Sequence, residues 1–212
     1  MNTPVKPKRP RLNRGEQKEI RSQELLDAAW ELFCERGYDA VTIDQVAELA
    51  GYSRKPVYTL FGDKQVLFFE LWSRMFMGMT DLTASLFDPR QTLRANLQRV
   101  AKLGAERGDQ GQSRKAEGLL YFVIQTITLS RPDLEKRVRE LFEEAQGRLT
   151  QAIRNCPLER GERLRGSAEL VAAHLAAHIN GLSLLQFQTG RNYMQAQDLY
   201  ELFVHMAIVR EA

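Results

Sequence analysis

Residues 37–67 read Gly37-Tyr38-Asp39-Ala40-Val41-Thr42-Ile43-Asp44-Gln45-Val46-Ala47-Glu48-Leu49-Ala50-Gly51-Tyr52-Ser53-Arg54-Lys55-Pro56-Val57-Tyr58-Thr59-Leu60-Phe61-Gly62-Asp63-Lys64-Gln65-Val66-Leu67. The pattern predicts a short helix, a tight turn, a second short helix and the start of a third. Thr42 can cap the first helix, with Gln45 three residues on to complete a capping box. Val46, Ala47 and Ala50 give that helix a small apolar face, and Gly51 is a natural stop. Ser53 is placed to cap the second helix. Small residues at Ala47 and Gly51 would let the two helices cross closely, as a helix-turn-helix requires. The second helix carries Arg54, Lys55, Tyr58 and Thr59 on its polar side, residue types that hydrogen-bond to phosphates and base edges.

Upstream the pattern continues as Leu25-Leu26-x-Ala28-Ala29-x-x-Leu32-Phe33-x-x-x-Gly37-Tyr38, then Thr42, Val46-Ala47, Ala50-Gly51, Ser53, Val57-Tyr58, Phe61, Lys64 and Leu67. This resembles the DNA-binding domain of the TetR family of bacterial transcriptional regulators, over roughly residues 20–70. The resemblance implies an N-terminal three-helix helix-turn-helix domain and a C-terminal helical domain for ligand binding and dimerisation. It also implies a repressor, acting as a homodimer on a roughly palindromic double-stranded DNA operator and released by a small-molecule effector, in the cytoplasm. Two positions depart from the family pattern. Tyr52 replaces the usual aliphatic residue after the glycine, and Leu60 replaces a frequent Tyr or His, so one backbone contact is expected to be missing.

Arg54, Lys55, Pro56 and Thr59, with Ser53 beside them, are the expected major-groove surface. Arginine and lysine reach guanine O6 and N7, and an apolar ring can touch a thymine methyl. The plainer alternative is a solvated charged helix end. Thr42, Tyr52, Tyr58 and Lys64 are the expected phosphate contacts, since Thr42 and Lys64 sit at helix N-termini, which favour anions. Phe61, Val57 and Val46 are core by periodicity.

Outside this stretch, residues 1–14 hold Lys6, Lys8, Arg9, Arg11 and Arg14 with no acid. Pro4, Pro7 and Pro10 deny them a helix, so a disordered basic arm is expected. Arg9 and Arg11 either enter a minor groove or add only non-specific attraction. The 212-residue chain has a net charge of +3, so nucleic-acid contact must come from such local clusters. Its two cysteines, Cys34 and Cys156, do not make a disulfide framework. No apolar run follows the basic start as in a signal peptide, and none approaches the ~18 residues of a membrane span.

The whole reads as all-α with about nine helices and no strand: an arm over 1–14, a helix-turn-helix domain over 15–65 and a helical domain over 66–212. Asp63 is expected to cap a fourth helix. Restarts are expected at Asp88-Pro89-Arg90-Gln91 and at Ser130-Arg131-Pro132-Asp133, and a charged loop from Pro157 to Gly166. Ser167 caps a helix ended by Gly190, and the last helix covers about Met194 to Arg210.

Residues 68–79 are apolar on more than one face, with three alternating methionines. In TetR-like proteins this helix lines the inducer pocket. Met75, Met79, Phe122, Gln125 and His178 are therefore candidate ligand contacts for a large apolar or aromatic molecule, against the alternative of ordinary core. His174 and His178 share a helix face, but no companion ligand points to a metal. Cys156, near Arg154 and Arg160, is a candidate for a lowered thiol pKa. No nucleophile elbow, phosphate loop, zinc-protease helix or dinucleotide turn is present, so neither an enzyme nor a cofactor is expected. The last two long helices are the expected dimer interface. In the first of them Ala172, Ala173, Ala176 and Ala177 permit close packing, and Gly181, Leu184, Leu185 and Phe187 extend it. A DNA-binding architectural protein without an effector is the competing reading.

Overall fold

The computed structural model describes residues 13–109, 115–193 and 195–210. The chain order is α1 (Arg14–Arg36), α2 (Ile43–Leu49), α3 (Arg54–Phe61), α4 (Lys64–Ser85), α5 (Leu93–Asp109), α6 (Lys115–Ser130), α7 (Pro132–Arg154), β1 (Glu162–Leu164), α8 (Ala168–Thr189), α9 (Ala196–Ala207) and β2 (Ile208–Arg210). Two compact units divide between Leu67 and Phe68. The expected all-α architecture is observed, with one small exception in the second unit.

In the first unit α1 begins with a capping box that the sequence reading overlooked. Asn13 Oδ1 accepts from the Glu16 amide, and Glu16 accepts from the Asn13 amide at 2.7 Å. Leu25, Leu26, Ala28, Ala29, Leu32 and Phe33 bury one stripe of α1 at helical spacing. The stripe meets α2, which in turn packs on α3. Val41, Val46, Ala47, Val57, Phe61 and Leu67 complete the core. Gly51 has φ of +74° and nothing near where a Cβ would sit. It is therefore needed for its left-handed turn, not for a close helix crossing.

In the second unit, Leu93, Leu97, Val100 and Ala101 of α5 form one core with Val171, Ala172 and Leu175 of α8 and Leu199 and Phe203 of α9. At Gly104 a Cβ would lie 3.1 Å from Leu199, so α5 and α9 approach closely there. A separate aromatic group joins α4 to α7: Trp72 stacks on Phe76 at 5.1 Å and Phe142 lies 4.7 Å from Phe76. Arg137 pairs with Glu70 at 2.5 Å and lies over the Phe69 ring.

Several boundaries differ from the sequence reading. The Asp88–Gln91 segment is a turn, not a helix start. Asp88 accepts from the Arg90 amide, and the fully buried Asn96 donates to the carbonyls of Asp88 and Gln91. Helix α5 starts four residues past Pro89, after Thr92, whose hydroxyl accepts from the Ala95 amide. Ser130 ends α6 and bonds back to Ile127, so Arg131 takes the N-cap position of α7. The expected loop over 157–166 contains β1, which pairs antiparallel with β2 in the expected last helix, Glu162 opposite Arg210. Glu162, almost fully buried, pins the ribbon by pairing with Arg94 at 2.5 Å. Asp63 and Ser167 do cap α4 and α8, and Gly190 ends α8 in the left-handed conformation. By length and composition α8 is apolar enough to cross a membrane, contrary to the sequence reading, with 22% of its most apolar window buried. Its inner face, however, is integral to the core of the second unit.

Candidate nucleic-acid interface

Thr42 and Gln45 form the expected reciprocal cap on α2. Thr42 Oγ1 accepts from the Gln45 amide at 3.3 Å, and Gln45 Oε1 accepts from the Thr42 amide at 2.9 Å. The cap fixes where α2 starts and leaves Thr42 exposed. Asp44 follows in the first turn, where the helix dipole favours a carboxylate.

Helix α3 divides cleanly. Val57 and Phe61 are buried, while Arg54, Lys55, Tyr58 and Thr59 are exposed and Pro56 is half-buried. Ser53 stands at the N-cap position with extended backbone, but its side chain makes no cap hydrogen bond. The expected cap is therefore absent. The first amides of α3 keep their affinity for an anion, and the exposed Ser53 hydroxyl lies beside them. Arg54 is 71% exposed, and its Nη2 lies 2.5 Å from Asp44 Oδ2 on α2. The Thr59 hydroxyl donates to the Lys55 carbonyl at 2.8 Å, so its proton is committed to its own helix and only its oxygen can accept. Tyr58 is 51% exposed.

Two expected phosphate contacts are employed otherwise. The Tyr52 hydroxyl donates to Glu24 of α1, and Arg21 lies 5.4 Å from the ring centroid. That bond to a carboxylate raises the phenol pKa above its ordinary value, so Tyr52 ties the turn to α1. Lys64 Nζ donates to the carbonyls of Val41 at 2.9 Å, Tyr38 at 3.0 Å and Asp39 at 3.4 Å. It also lies 4.3 Å from the Tyr38 ring centroid. In the single chain its three protons thus secure the loop entering α2, a structural role that the phosphate-clamp reading did not foresee. No pattern in sequence spacing signals a lysine reaching back 23 residues. Arg9 and Arg11 lie outside the described residues.

The candidate ligand contacts lie on three helices, α4, α6 and α8. Met75 and Met79 are half-buried on α4. Phe122 is 38% exposed on α6, its ring 6.0 Å from Phe187, and Gln125 is exposed beside it. His178 is exposed on α8 with Nδ1 2.9 Å from the His174 carbonyl. Among the described residues no group of three or more metal-ligating side chains is assembled. Cys156 is buried, accepts from Asn96 and bonds to the Ala152 carbonyl. Burial pushes its thiol pKa up, the reverse of the expected activation.

A short helix capped by Thr42, a glycine turn and an exposed cationic helix face define a helix-turn-helix DNA-binding domain. Residues 25–71 match the family model described as bacterial regulatory proteins, tetR family. The chain is 32% identical over 80 residues to YhgD of Bacillus subtilis, described as an uncharacterized HTH-type transcriptional regulator, covering 38% of this chain and 42% of YhgD. It is 37% identical over 87 residues to the transcriptional activator FasR of Mycolicibacterium smegmatis, covering 39% of each. These matches thus span less than half the length of either relative. A TetR-family regulator from Mesorhizobium loti shares the fold, with a TM-score of 0.71 at 23% identity, covering 91% of this chain and 99% of that one. Residues 25–71 thus match the DNA-binding domain of the TetR family.

Proposed function

We propose that the protein is a transcriptional regulator that binds a roughly palindromic operator as a homodimer and is released from it by a small, largely apolar or aromatic molecule. One observation carries the reading. Helix α3 buries Val57 and Phe61 and turns Arg54, Lys55 and Tyr58 outward, a rigid cationic face of the size that a major groove admits. Support for the dimer comes from α8. Ala173, His174, Ala177, His178, Gly181 and Leu185 are exposed along it, an outward face of small residues, a leucine and two histidines on a helix whose other face is core. The effector rests on the family resemblance and on the methionine-bearing stretch of α4. By this mechanism the ligand binds better, by a few kcal/mol, the dimer whose recognition helices are wrongly spaced for successive grooves.

The test is selection of duplexes from a random pool by the full chain, followed by affinity measurements on the selected and on a shuffled duplex. An inverted repeat bound in preference to the shuffled duplex supports the reading; equal binding overturns it. FasR is an activator, so the direction of regulation is a separate experiment. A repressor lowers expression of a reporter placed behind the selected site, and an activator raises it.

A further inference from the structure

Asp44 is an acid set against the cationic face of α3, and the fold gains little from it. An exposed ion pair contributes at most modestly to stability. Moreover, Asp44 Oδ1 is sealed from solvent, and no donor among the described residues reaches it. A covered, unbonded carboxylate oxygen is a cost to folding. The other oxygen, Oδ2, lies 2.5 Å from Arg54 Nη2. Arg54 is the first residue of the recognition helix, and its long side chain is otherwise 71% exposed.

Resting on the proposed DNA-binding reading, we infer that Asp44 is a specificity-determining residue that positions the Arg54 guanidinium for a base edge. Two physical effects follow from its placement. Held at one nitrogen, the guanidinium keeps its remaining donors for a base and loses less rotamer freedom on binding. The carboxylate also repels a phosphate that would otherwise take the same guanidinium. A register in which Arg54 meets only backbone is thereby penalised, so discrimination comes partly from a repulsive element.

The experiment measures affinity for a duplex selected by the wild-type chain and for a shuffled duplex of the same composition, at several salt concentrations. The proteins are wild type, Asp44→Asn, Arg54→Ala and the double variant. Asp44→Asn keeps the shape and removes the charge. It should bind shuffled DNA more tightly, with a steeper salt dependence. The ratio of specific to non-specific affinity should fall about twofold to tenfold, the range expected for releasing one held side chain. In the Arg54→Ala background the same substitution should leave the ratio unchanged, because Asp44 acts through Arg54. A fall in ratio that persists without Arg54 would make Asp44 a base contact in its own right and overturn the positioning role. An unchanged ratio in the single variant would overturn it too. Thermal melts confirm that the variants are folded. A wild type that binds both duplexes equally rejects the DNA-binding reading itself, an outcome distinct from either.

Discussion

Lys64 Nζ sits 2.9 Å from the Val41 carbonyl and 3.0 Å from that of Tyr38, so one ammonium at the start of α4 closes the loop that leads into α2. Lys64→Ala should destabilise the first unit by about 1.5–3 kcal/mol, the scale of hydrogen bonds to a charged group. Measured by denaturant unfolding, this loss should appear with no DNA present. At temperatures where the variant is folded, its salt dependence of DNA binding should match wild type. A variant of wild-type stability whose salt slope is smaller by about one phosphate contact would return Lys64 to the role of phosphate clamp.

Arg54→Ala should weaken binding to the selected duplex by about 1–3 kcal/mol and binding to shuffled DNA much less. The side chain is 71% exposed and its pair with Asp44 lies at the surface, so stability should change little. Equal losses on both duplexes would mean that Arg54 touches only phosphate.

The basic arm is tested by removing residues 1–12, which spares Asn13, the N-cap of α1. Four cations leave: Lys6, Lys8, Arg9 and Arg11. Each that meets a phosphate should lower the salt slope by about 0.9. If the arm reads a minor groove, the loss should also vary with A·T content beside each half-site. An unchanged slope would mean that the arm makes no contact with DNA.

The legible parts of this fold were those set by local chemistry. Thr42 with Gln45, Asp63, Ser167 and Gly190 all act where the sequence puts them, because a cap needs partners only a few residues away. The failures share one cause, competition from distant residues. Asp88-Pro89 has every local mark of a helix start, but the buried Asn96 takes its carbonyl and makes it a turn. The ribbon of β1 and β2 consists of two three-residue strands with forty-three residues between them, too short to show alternation. At the interface, Arg54, Lys55 and Tyr58 were readable because helical spacing decides exposure. The engagements of Lys64 with Val41, of Tyr52 with Glu24 and of Asp44 with Arg54 depend on how helices cross, which spacing within one helix does not encode.

Cys156 should be the slower of the two thiols. Burial raises its pKa, while Cys34 is only half-buried. A thiol whose native pKa lies above its unfolded value supplies stability that is complete below the unfolded pKa and is lost as pH rises through the native one. With a chromogenic thiol reagent at pH 8, one thiol should react quickly and the second only on unfolding. Rapid reaction of Cys156 in the native protein, read by mass spectrometry of its peptide, would contradict its burial.

The final prediction concerns α8 and its outward face. Gly181 is exposed, and nothing lies within 4 Å of the position a Cβ would take there. The single chain therefore has room for a large side chain, and a glycine inside a helix is itself unfavourable by about 1 kcal/mol relative to alanine. Gly181→Arg should leave the chain folded or slightly more stable as a monomer. In a dimer formed across α8 and α9, the same arginine would be buried between subunits without a partner. Leaving such a charge unpaired costs about 3–5 kcal/mol. Association should then fall by more than a hundredfold, and with it affinity for the inverted repeat, although residues 42–61 are untouched. Dimerisation is what holds two half-sites at one helical turn, about 34–36 Å, or a multiple of it. Analytical ultracentrifugation reads the association and anisotropy on the selected duplex reads the affinity. A dimer of normal affinity carrying Gly181→Arg would place the subunit interface away from this face of α8 and leave its exposed surface to another partner.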